Sequence, residues 1–300
     1  MTSRIERNKR QRNKIVKDVV EEKTKTISIK VFKILFKVAL VFLIIYLILR
    51  YLGTSGLVVR EYMIEYDNIP DEFNGIKIVQ ISDLNYNSKT VDMKKIEKMV
   101  RKINIIKPDI VVFTGDLIYG EIDNKEINSL TKELSKIKAS LNKYSVTGKN
   151  DNKNTKIILD NAGFINIDNS YDLIYKDGNK PILITGFIDK LDLDKSFEIF
   201  KDEELSNIFT IGIMHNPDLI NKINNYKKLD LALAGYTFNG LIRLPKIGGI
   251  FNYNKDYFEE YYNIDNTDLY ISNGVGTREY PYRLFNHPSI SLYRLKKSDN

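Results

Sequence analysis

Three apolar segments in the middle of the chain each run into a short polar stretch that carries a carboxylate. IKIVQIS is followed by Asp83, DIVVFTG by Asp116, and KYSVTG by the pair Asn150 and Asp151. A single aspartate after a strand is commonly a turn former or a helix cap. Three such junctions in succession favour a shared site, in which carboxylates hold a cation or move a proton.

Two apolar segments further along the chain also stop at residues of chemical interest. FTIGIM ends at His215, whose imidazole can act as a base or a metal ligand. LALA runs into the turn GYTFNG, which presents Tyr236 and Phe238 between two glycines. The junction of a strand and a loop is a usual place for functional residues, so an aromatic pair there requires an explanation.

The elements between these junctions alternate between apolar strands and amphipathic helices. Residues 91–107 carry apolar side chains at helical spacing up to Pro108, and residues 124–139 repeat the pattern. This alternation predicts an α/β fold whose working face is formed by the loops after the strands. Residues 253–263 predict a surface loop or a short helix.

Composition narrows the chemistry. The 300 residues include no cysteine and two histidines, which excludes structural disulfides, Cys-based zinc sites and a metal site built mainly on imidazole. We interpret the second histidine, His287, as a surface or structural residue. Residues 1–50 hold 13 Lys/Arg and four Asp/Glu, whereas the other 250 residues hold 33 basic and 35 acidic groups. The main domain is therefore not expected to bind nucleic acid.

An apolar stretch near the N-terminus predicts a membrane anchor. VALVFLIIYLIL and its flanks give a transmembrane helix over residues 31–53, the alternatives being a signal-peptide core or a buried helix. Residues 1–30 then form a basic cytoplasmic tail, and its first part, MTSRIERNKRQRNK, is expected to be an unstructured arm that touches anionic lipid. The positive-inside rule predicts a single-pass protein of the cell membrane whose main domain is extracytoplasmic.

In chain order, the polar junctions resemble the motifs of the calcineurin-like metallophosphoesterases, in particular their membrane-anchored bacterial phosphohydrolases. The family motifs D-x-H, G-D, G-N-H-D/E, a lone H and G-H-x-H correspond here to SDLNYNS, TGDLIYG, TGKNDN, IMHNPDLI and AGYTFNGLIRLP. The resemblance implies a domain over residues 57–300 with two packed mixed β-sheets flanked by helices. It also implies a two-metal site at the strand ends.

The resemblance assigns family roles to some residues and finds others replaced. Asp83 and Asp116 match the first and the bridging carboxylate, His215 matches the lone histidine, and Asp151 matches the acid after the Asn-His pair. Five positions depart from the motifs. Where the family has metal-binding histidines, this chain has Asn85, Tyr236 and Phe238. Lys149 replaces the metal-binding asparagine, and Asn150 replaces the histidine that assists the leaving group.

These departures predict a weakened metal site. The remaining metal ligands are Asp83, Asp116 and His215, so no cofactor is expected; the alternative is a weakly held Mg²⁺, Mn²⁺ or Ca²⁺ on oxygen ligands. We hypothesise that the Lys149 amine occupies a vacated metal position and pairs with Asp116.

Three functions follow as alternatives. The first is a catalytically degenerate protein whose binding partner is a phosphate-bearing or lipid-linked ligand or a protein of the cell envelope. Its predicted pocket is lined by Asn85, Lys149, Asn150, Asp151, Tyr236 and Phe238. The second is a hydrolase of phosphoesters or pyrophosphates with an altered site, in which Asp151, Asn150 or His215 serves in catalysis. The third is a structural role in the cell envelope.

Overall fold

The computed structural model describes residues 4–87, 89–198, 207–249, 254 and 256–298. The chain divides into two compact units, one ending at Ile48 and the other beginning at Leu49.

The first unit is a single long helix. Helix α1 (Arg4–Leu47) has no buried residue, and a π-helical turn (Ile48–Leu52) follows it. An 18-residue window of this stretch has a mean hydropathy of 2.6, so the helix is long and apolar enough to cross a membrane. The expectation of an unstructured basic arm is wrong, because the helix already begins at Arg4. No glycine or proline interrupts residues 4–52, and Lys, Arg, Glu and Gln there are good helix formers.

The second unit is built from strands and helices in alternation. Its strands are β1 (Val58–Tyr66), β2 (Lys77–Ile81), β3 (Ile110–Phe113), β4 (Asn142–Ser145), β5 (Ile165–Asn166), β6 (Ser170–Ile174), β7 (Ile182–Phe187), β8 (Thr210–Met214), β9 (Leu231–Ala234), β10 (Arg243–Leu244), β11 (Gly248–Gly249), β12 (Tyr261–Ile264), β13 (Thr267–Ile271) and β14 (Ser289–Lys297). Its helices are α2 (Met93–Ile106), α3 (Asn124–Leu134), α4 (Lys153–Asn161), α5 (Leu193–Ser196) and α6 (Ile220–Tyr226), with 3₁₀ turns at Asp71–Phe73 and Pro217–Leu219.

The strands form two six-stranded mixed sheets and a small hairpin. The first sheet has the order β1-β14-β2-β3-β4-β5, the second the order β12-β13-β9-β8-β7-β6, and β10 pairs with β11. Strands β2 to β5 run parallel in the first sheet, and β13, β9, β8 and β7 run parallel in the second. The predicted α/β fold of two mixed sheets with flanking helices is confirmed.

The two sheets enclose the main core. On β2, Ile78 belongs to the cluster between the sheets, whereas Val79 packs in the cluster under helices α2 to α4. This alternation follows from the two-residue period of a strand. Gln80 joins the sheets through its amide, which donates to Ala234 O at 2.8 Å and accepts from the Tyr293 hydroxyl at 2.7 Å. The strand ends above this contact are therefore held close together.

Strand β12 was not expected from the sequence. Tyr261–Ile264 forms β12, although residues 253–263 predicted a loop or a short helix; residues 253 and 255 lie outside the described residues. Strands β12 and β13 are joined by a two-residue turn at Asp265 and Asn266, both with positive φ (52° and 71°). Such a turn is typical of a tight β-hairpin, and Asp-Asn is compatible with it.

Candidate cation site at the strand ends

Two neighbouring strands of the first sheet deliver the carboxylates. Asp83 follows β2 and Asp116 follows β3, each in a left-handed backbone conformation (φ 48° and 60°) that aspartate tolerates. The Asp83 amide donates to Gly115 O at 2.9 Å, and the Asn85 amide to Asp116 O at 3.0 Å. The two turns therefore continue the strand pairing beyond the sheet and bring both carboxylates to one point.

The second sheet delivers His215 after β8 and the aromatic pair after β9. Tyr236 and Phe238 also have positive φ (72° and 55°), which is costly for aromatic residues and is held by the surrounding turn. A Cβ atom at Gly235 would lie 2.1 Å from Ser82 Oγ, so only glycine allows the turns of the two sheets to approach this closely.

A fourth side chain, Arg278, enters the site from the loop between β13 and β14. Its Nη2 lies 2.8 Å from Asp116 Oδ2, 3.4 Å from Asp83 Oδ1 and 3.4 Å from His215 Nε2. Both carboxylates are fully buried, and Arg278 is 6% exposed. The guanidinium therefore neutralises negative charge that is removed from water, which would otherwise be very unfavourable.

The aromatic pair forms a cradle for this guanidinium. The central carbon of the Arg278 guanidinium lies 4.7 Å from the ring centroid of Tyr236 and 5.3 Å from that of Phe238. A cation over an aromatic face is attracted by the ring quadrupole, most strongly where water is excluded. The two residues that replace imidazoles in the last motif thus contact an internal cation.

Each carboxylate is fixed by further hydrogen bonds. Asp83 Oδ2 accepts from Ser82 Oγ at 2.6 Å and from the Tyr236 amide at 3.0 Å. Asp116 accepts from the backbone and the side-chain amide of Asn150, at 2.9 and 2.7 Å. Burial raises the pKa of Asp83. Burial alone would also raise the pKa of Asp116, but the positive charges of His215 and Arg278 hold this pKa below its usual range. Asp116 is therefore the firmly ionised partner of the cations.

His215 supplies a second positive charge. Its Nδ1 lies 2.7 Å from Thr114 O, which places a proton on Nδ1, and its Nε2 lies 3.3 Å from Asp116 Oδ2. Burial alone would lower the pKa of His215, but the carboxylates of Asp116 and Asp83 raise it to about 9. The protonated ring donates to Thr114 and Asp116, and its contact with Arg278 Nη2 is then not a hydrogen bond, because both atoms are donors.

Asp151, a candidate catalytic residue, points to backbone amides. Its Oδ2 accepts from the amides of Asp116 at 2.9 Å and Gly148 at 2.7 Å, and its Oδ1 accepts from the amide of Leu117 at 2.9 Å. Burial raises the pKa of Asp151. With both oxygens engaged in this way, Asp151 positions the turn that carries Asp116.

The hypothesis that Lys149 pairs with Asp116 is wrong. Lys149 is exposed, and its amine lies 5.9 Å over the Tyr236 ring, whereas Arg278 pairs with Asp116. Lys149 lies on the exposed turn after β4, and a solvated amine there keeps its hydration, whereas an amine beside Asp116 would lose it.

Of the six residues of the predicted pocket, Asp151 is half-buried and holds backbone amides, and the other five lie at two depths. Lys149 and Asn150 are exposed and Tyr236 is half-buried, so these three form a rim. Asn85 and Phe238 are fully buried below the rim. In the side-chain amide of Asn85, neither Nδ2 nor Oδ1 has a hydrogen-bond partner among the residues that the structure describes. A buried amide in this state is rare and marks a place where a polar group could bind.

The donor set does not fit a pair of divalent cations. Asp83, Asp116 and His215 each offer one ligand atom, all within 4.8 Å of one another, so this group could hold one metal ion. Arg278 Nη2 lies at the point that these three atoms surround, and a dication beside a guanidinium would be repelled. Phe238 has no donor atom, and Lys149 adds a further positive charge near the rim.

Sequence reasoning missed Arg278, which lies directly after the stretch G-V-G-T at residues 274–277. A second missed residue, Arg283, shapes its loop: the Arg283 guanidinium donates to the carbonyls of Asn273 at 2.7 Å and Gly276 at 2.6 Å. The available signal was charge balance, because two buried carboxylates at a site with few other metal ligands need a cation from another part of the chain.

Comparisons with known proteins agree with this fold and these motifs. Residues 76–298 match the sequence model of the calcineurin-like phosphoesterase family. The metallophosphoesterase YkuE of Bacillus subtilis is 30% identical over 258 residues, which cover 83% of this chain and 89% of that protein. A transmembrane protein with metallophosphoesterase domain from Danio rerio is 23% identical over 80% of this chain and 57% of its own length.

A shorter match concerns a protein that is named for its substrate. LpxG of Chlamydia trachomatis, a UDP-2,3-diacylglucosamine pyrophosphatase, is 48% identical over 54 residues, or 17% of this chain and 16% of that protein. The long matches cover the strands and turns that hold Asp83, Asp116 and His215. The chain therefore belongs to the calcineurin-like phosphoesterase family.

Proposed function

We propose that this protein is a membrane-anchored, catalytically degenerate member of its family that binds a phosphate-bearing ligand without hydrolysing it. The observation that carries the proposal is the position of Arg278 Nη2, 2.8 Å from Asp116 and 3.4 Å from Asp83. A two-metal hydrolase uses its cations to stabilise charge and to activate water. A guanidinium supplies positive charge but does not generate hydroxide.

The rim of the site supports a phosphate-bearing ligand. Lys149 and Asn150 are both exposed there. Lys149 offers an ammonium group, which binds phosphate as a point charge, and Asn150 offers a side-chain amide that can form further hydrogen bonds. The LpxG relative is named for a nucleotide-linked diacylglucosamine. By analogy we propose a lipid-linked phosphate or diphosphate as the ligand class.

The proposed location is the cell membrane, with the N-terminus in the cytoplasm and the domain from residue 57 outside. The C-terminal part of helix α1 is apolar, and the basic residues are concentrated in the part of the helix that precedes this apolar segment. The chain has no cysteine, so single cysteines at Lys9 and Tyr175 can be labelled with an impermeant maleimide on intact cells. We expect labelling at position 175 and protection at position 9; the reverse would overturn the orientation.

The alternative is a hydrolase with one metal in an altered site. It is favoured by the three ligand atoms of Asp83, Asp116 and His215 within 4.8 Å and by the unpartnered amide of Asn85, which could supply a fourth ligand. In this alternative Arg278 leaves the position that it occupies in the structure.

One experiment separates the two functions. The full chain in detergent is titrated with Mn²⁺ by calorimetry and assayed with bis-p-nitrophenyl phosphate, beside Arg278→Ala and the surface control Arg101→Ala, whose ion pair is exposed. We expect neither stoichiometric Mn²⁺ nor turnover in the parent chain and in the control, and Mn²⁺ binding only in Arg278→Ala. Mn²⁺-dependent turnover by the parent chain that disappears in Asp116→Asn would establish the hydrolase.

Ligand binding has its own test. Inorganic pyrophosphate is titrated into the full chain and into Lys149→Ala, in which we expect a loss of about five- to tenfold in affinity, the range of one exposed charged contact. Equal affinity in the two proteins, or no binding to the parent chain, would remove the rim as the ligand site.

A further inference from the structure

The residues that follow the apolar helix are part of the folded domain. Leu49 is the last residue of the apolar run VALVFLIIYLIL, and its carbonyl accepts from the Arg283 amide at 3.1 Å. Thr54 O accepts from the Lys95 amine at 3.0 Å, and Arg50 Nη2 donates to Lys89 O at 2.7 Å. Gly53 packs so tightly that a Cβ atom there would lie 1.6 Å from Arg283 O. The domain is thus fastened directly to the end of the apolar run.

Large apolar side chains are exposed around this attachment. They are Tyr51, Leu52, Ile247, Tyr280 and Phe285, with 59%, 64%, 72%, 59% and 63% of their surface exposed, and we call them the apolar rim. Tyr280 and Phe285 lie three and two residues from Arg283, the residue that holds Leu49. Two residues of chain span at most about 7 Å, so the backbone of Phe285 lies near Leu49.

The hairpin of β10 and β11 brings Ile247 to the same surface. The Arg243 amide donates to Leu284 O at 3.0 Å, which joins the hairpin to the loop that carries Phe285. Ile247, Lys246 and Phe285 line one open depression. Phe285 has a positive φ of 52°, a conformation that bulky residues rarely adopt, so the fold holds this aromatic ring outward at a cost.

We infer that the apolar rim rests in the headgroup layer of a lipid bilayer, so that the domain lies on the membrane surface; this inference rests on the proposed membrane anchor. The headgroup layer extends about 5–8 Å beyond the hydrocarbon on each side, so it can hold side chains that lie near Leu49, the last residue of the apolar run. Aromatic residues are enriched at this depth, and the exposed amines of Lys89 and Lys246 suit anionic lipid.

The inference also concerns the cation site. The loop that carries the Arg278 guanidinium into the site continues, seven residues later, to Phe285 in the apolar rim. One loop thus connects the cation site to the apolar rim.

The absence of tryptophan in the chain allows a direct test. Single variants Phe285→Trp and Ile247→Trp of the full chain are reconstituted into vesicles of phosphatidylcholine and phosphatidylglycerol, with and without lipids brominated on the upper acyl chain. Phe42→Trp reports on the apolar helix. Ile105→Trp is the matched control, because Ile105 is 79% exposed and lies on α2.

We expect brominated lipid to quench Phe285→Trp and Ile247→Trp at least twofold and to leave Ile105→Trp unchanged. Quenching of Phe42→Trp without quenching of Phe285→Trp and Ile247→Trp would overturn the inference and leave the anchor intact. An unquenched Phe42→Trp would remove the anchor and the inference with it. Blue-shifted but unquenched rim variants would assign the surface to a protein partner or a second copy, and equal quenching of Ile105→Trp would exclude a specific face.

Discussion

The two sheets contribute opposite halves of the site. The first sheet presents Asp83 and Asp116, the two carboxylates that the family resemblance assigns to metal binding, in turns held by backbone hydrogen bonds. The second sheet presents Tyr236 and Phe238 where the resemblance expects imidazoles, and the loop after β13 adds Arg278. An anionic half is thus faced by a half that carries a tethered cation and its aromatic cradle.

Under the proposed function, this difference is the means by which a metal site would lose its metals and keep its fold. Buried carboxylates are tolerated only when a cation or hydrogen-bond donors compensate them. A guanidinium within reach of both carboxylates meets that requirement, and aromatic side chains at the former ligand positions then stabilise the guanidinium.

Removal of Arg278 should have the largest effect on stability. Arg278→Ala leaves two buried carboxylates with the protonated His215 alone to compensate them, and removal of one partner of a buried ion pair typically costs about 3–5 kcal/mol of unfolding free energy. Thermal and urea unfolding of the full chain in detergent measure the loss. Mn²⁺ at 100 times its dissociation constant should restore about 2.7 kcal/mol, because it binds only the folded chain. A loss no greater than that of Arg101→Ala would show that the two halves do not depend on each other.

Asp151 should matter for the fold of the anionic half. Asp151→Ala removes the acceptor of three buried backbone amides, and we expect a loss of about 3 kcal/mol in unfolding free energy. Asp151→Asn keeps one oxygen and should lose roughly half as much. If Asp151→Ala unfolded at the same urea concentration as the parent chain, Asp151 would be free for another role.

Restored imidazoles should recover metal only when the tethered cation is gone. In the Arg278→Ala background, Tyr236→His with Phe238→His should raise Zn²⁺ affinity at least tenfold, or by about 1.4 kcal/mol, because imidazole suits this metal. The same pair with Arg278 in place should bind no better than the parent chain. Competition with a chromophoric chelator measures both affinities. A gain with Arg278 in place would mean that the guanidinium does not occupy the cation position.

Lys149 should have the smallest effect. Lys149→Asn restores the residue type of the family motif, but the amine is exposed and away from Asp116, so the unfolding free energy should change by less than about 0.5 kcal/mol. Mn²⁺ affinity in calorimetry should also stay unchanged. A marked gain in affinity would revive the hypothesis that Lys149 blocks the metal.

The fold was largely predictable, because apolar periodicity and strand-to-loop junctions are local features. Asp83, Asp116 and His215 were expected together and lie together, since the carboxyl ends of parallel strands share an edge. Arg278 was not predictable in this way, because the path of its loop depends on the bonds of the Arg283 side chain to the carbonyls of Asn273 and Gly276, which no sequence pattern indicates. Lys149 was misplaced because spacing fixes its backbone position and leaves the direction of its side chain open.

The central claim is that the Arg278 guanidinium occupies the cation position between the two carboxylates. Crystals of the full chain grown with millimolar MnCl₂, measured at a wavelength that gives anomalous signal from manganese, test it most directly. The account predicts no manganese peak beside Asp83 and Asp116, with Arg278 Nη2 in hydrogen-bond contact with Asp116. A manganese peak between the carboxylates, with the Arg278 side chain displaced from the site, would contradict it.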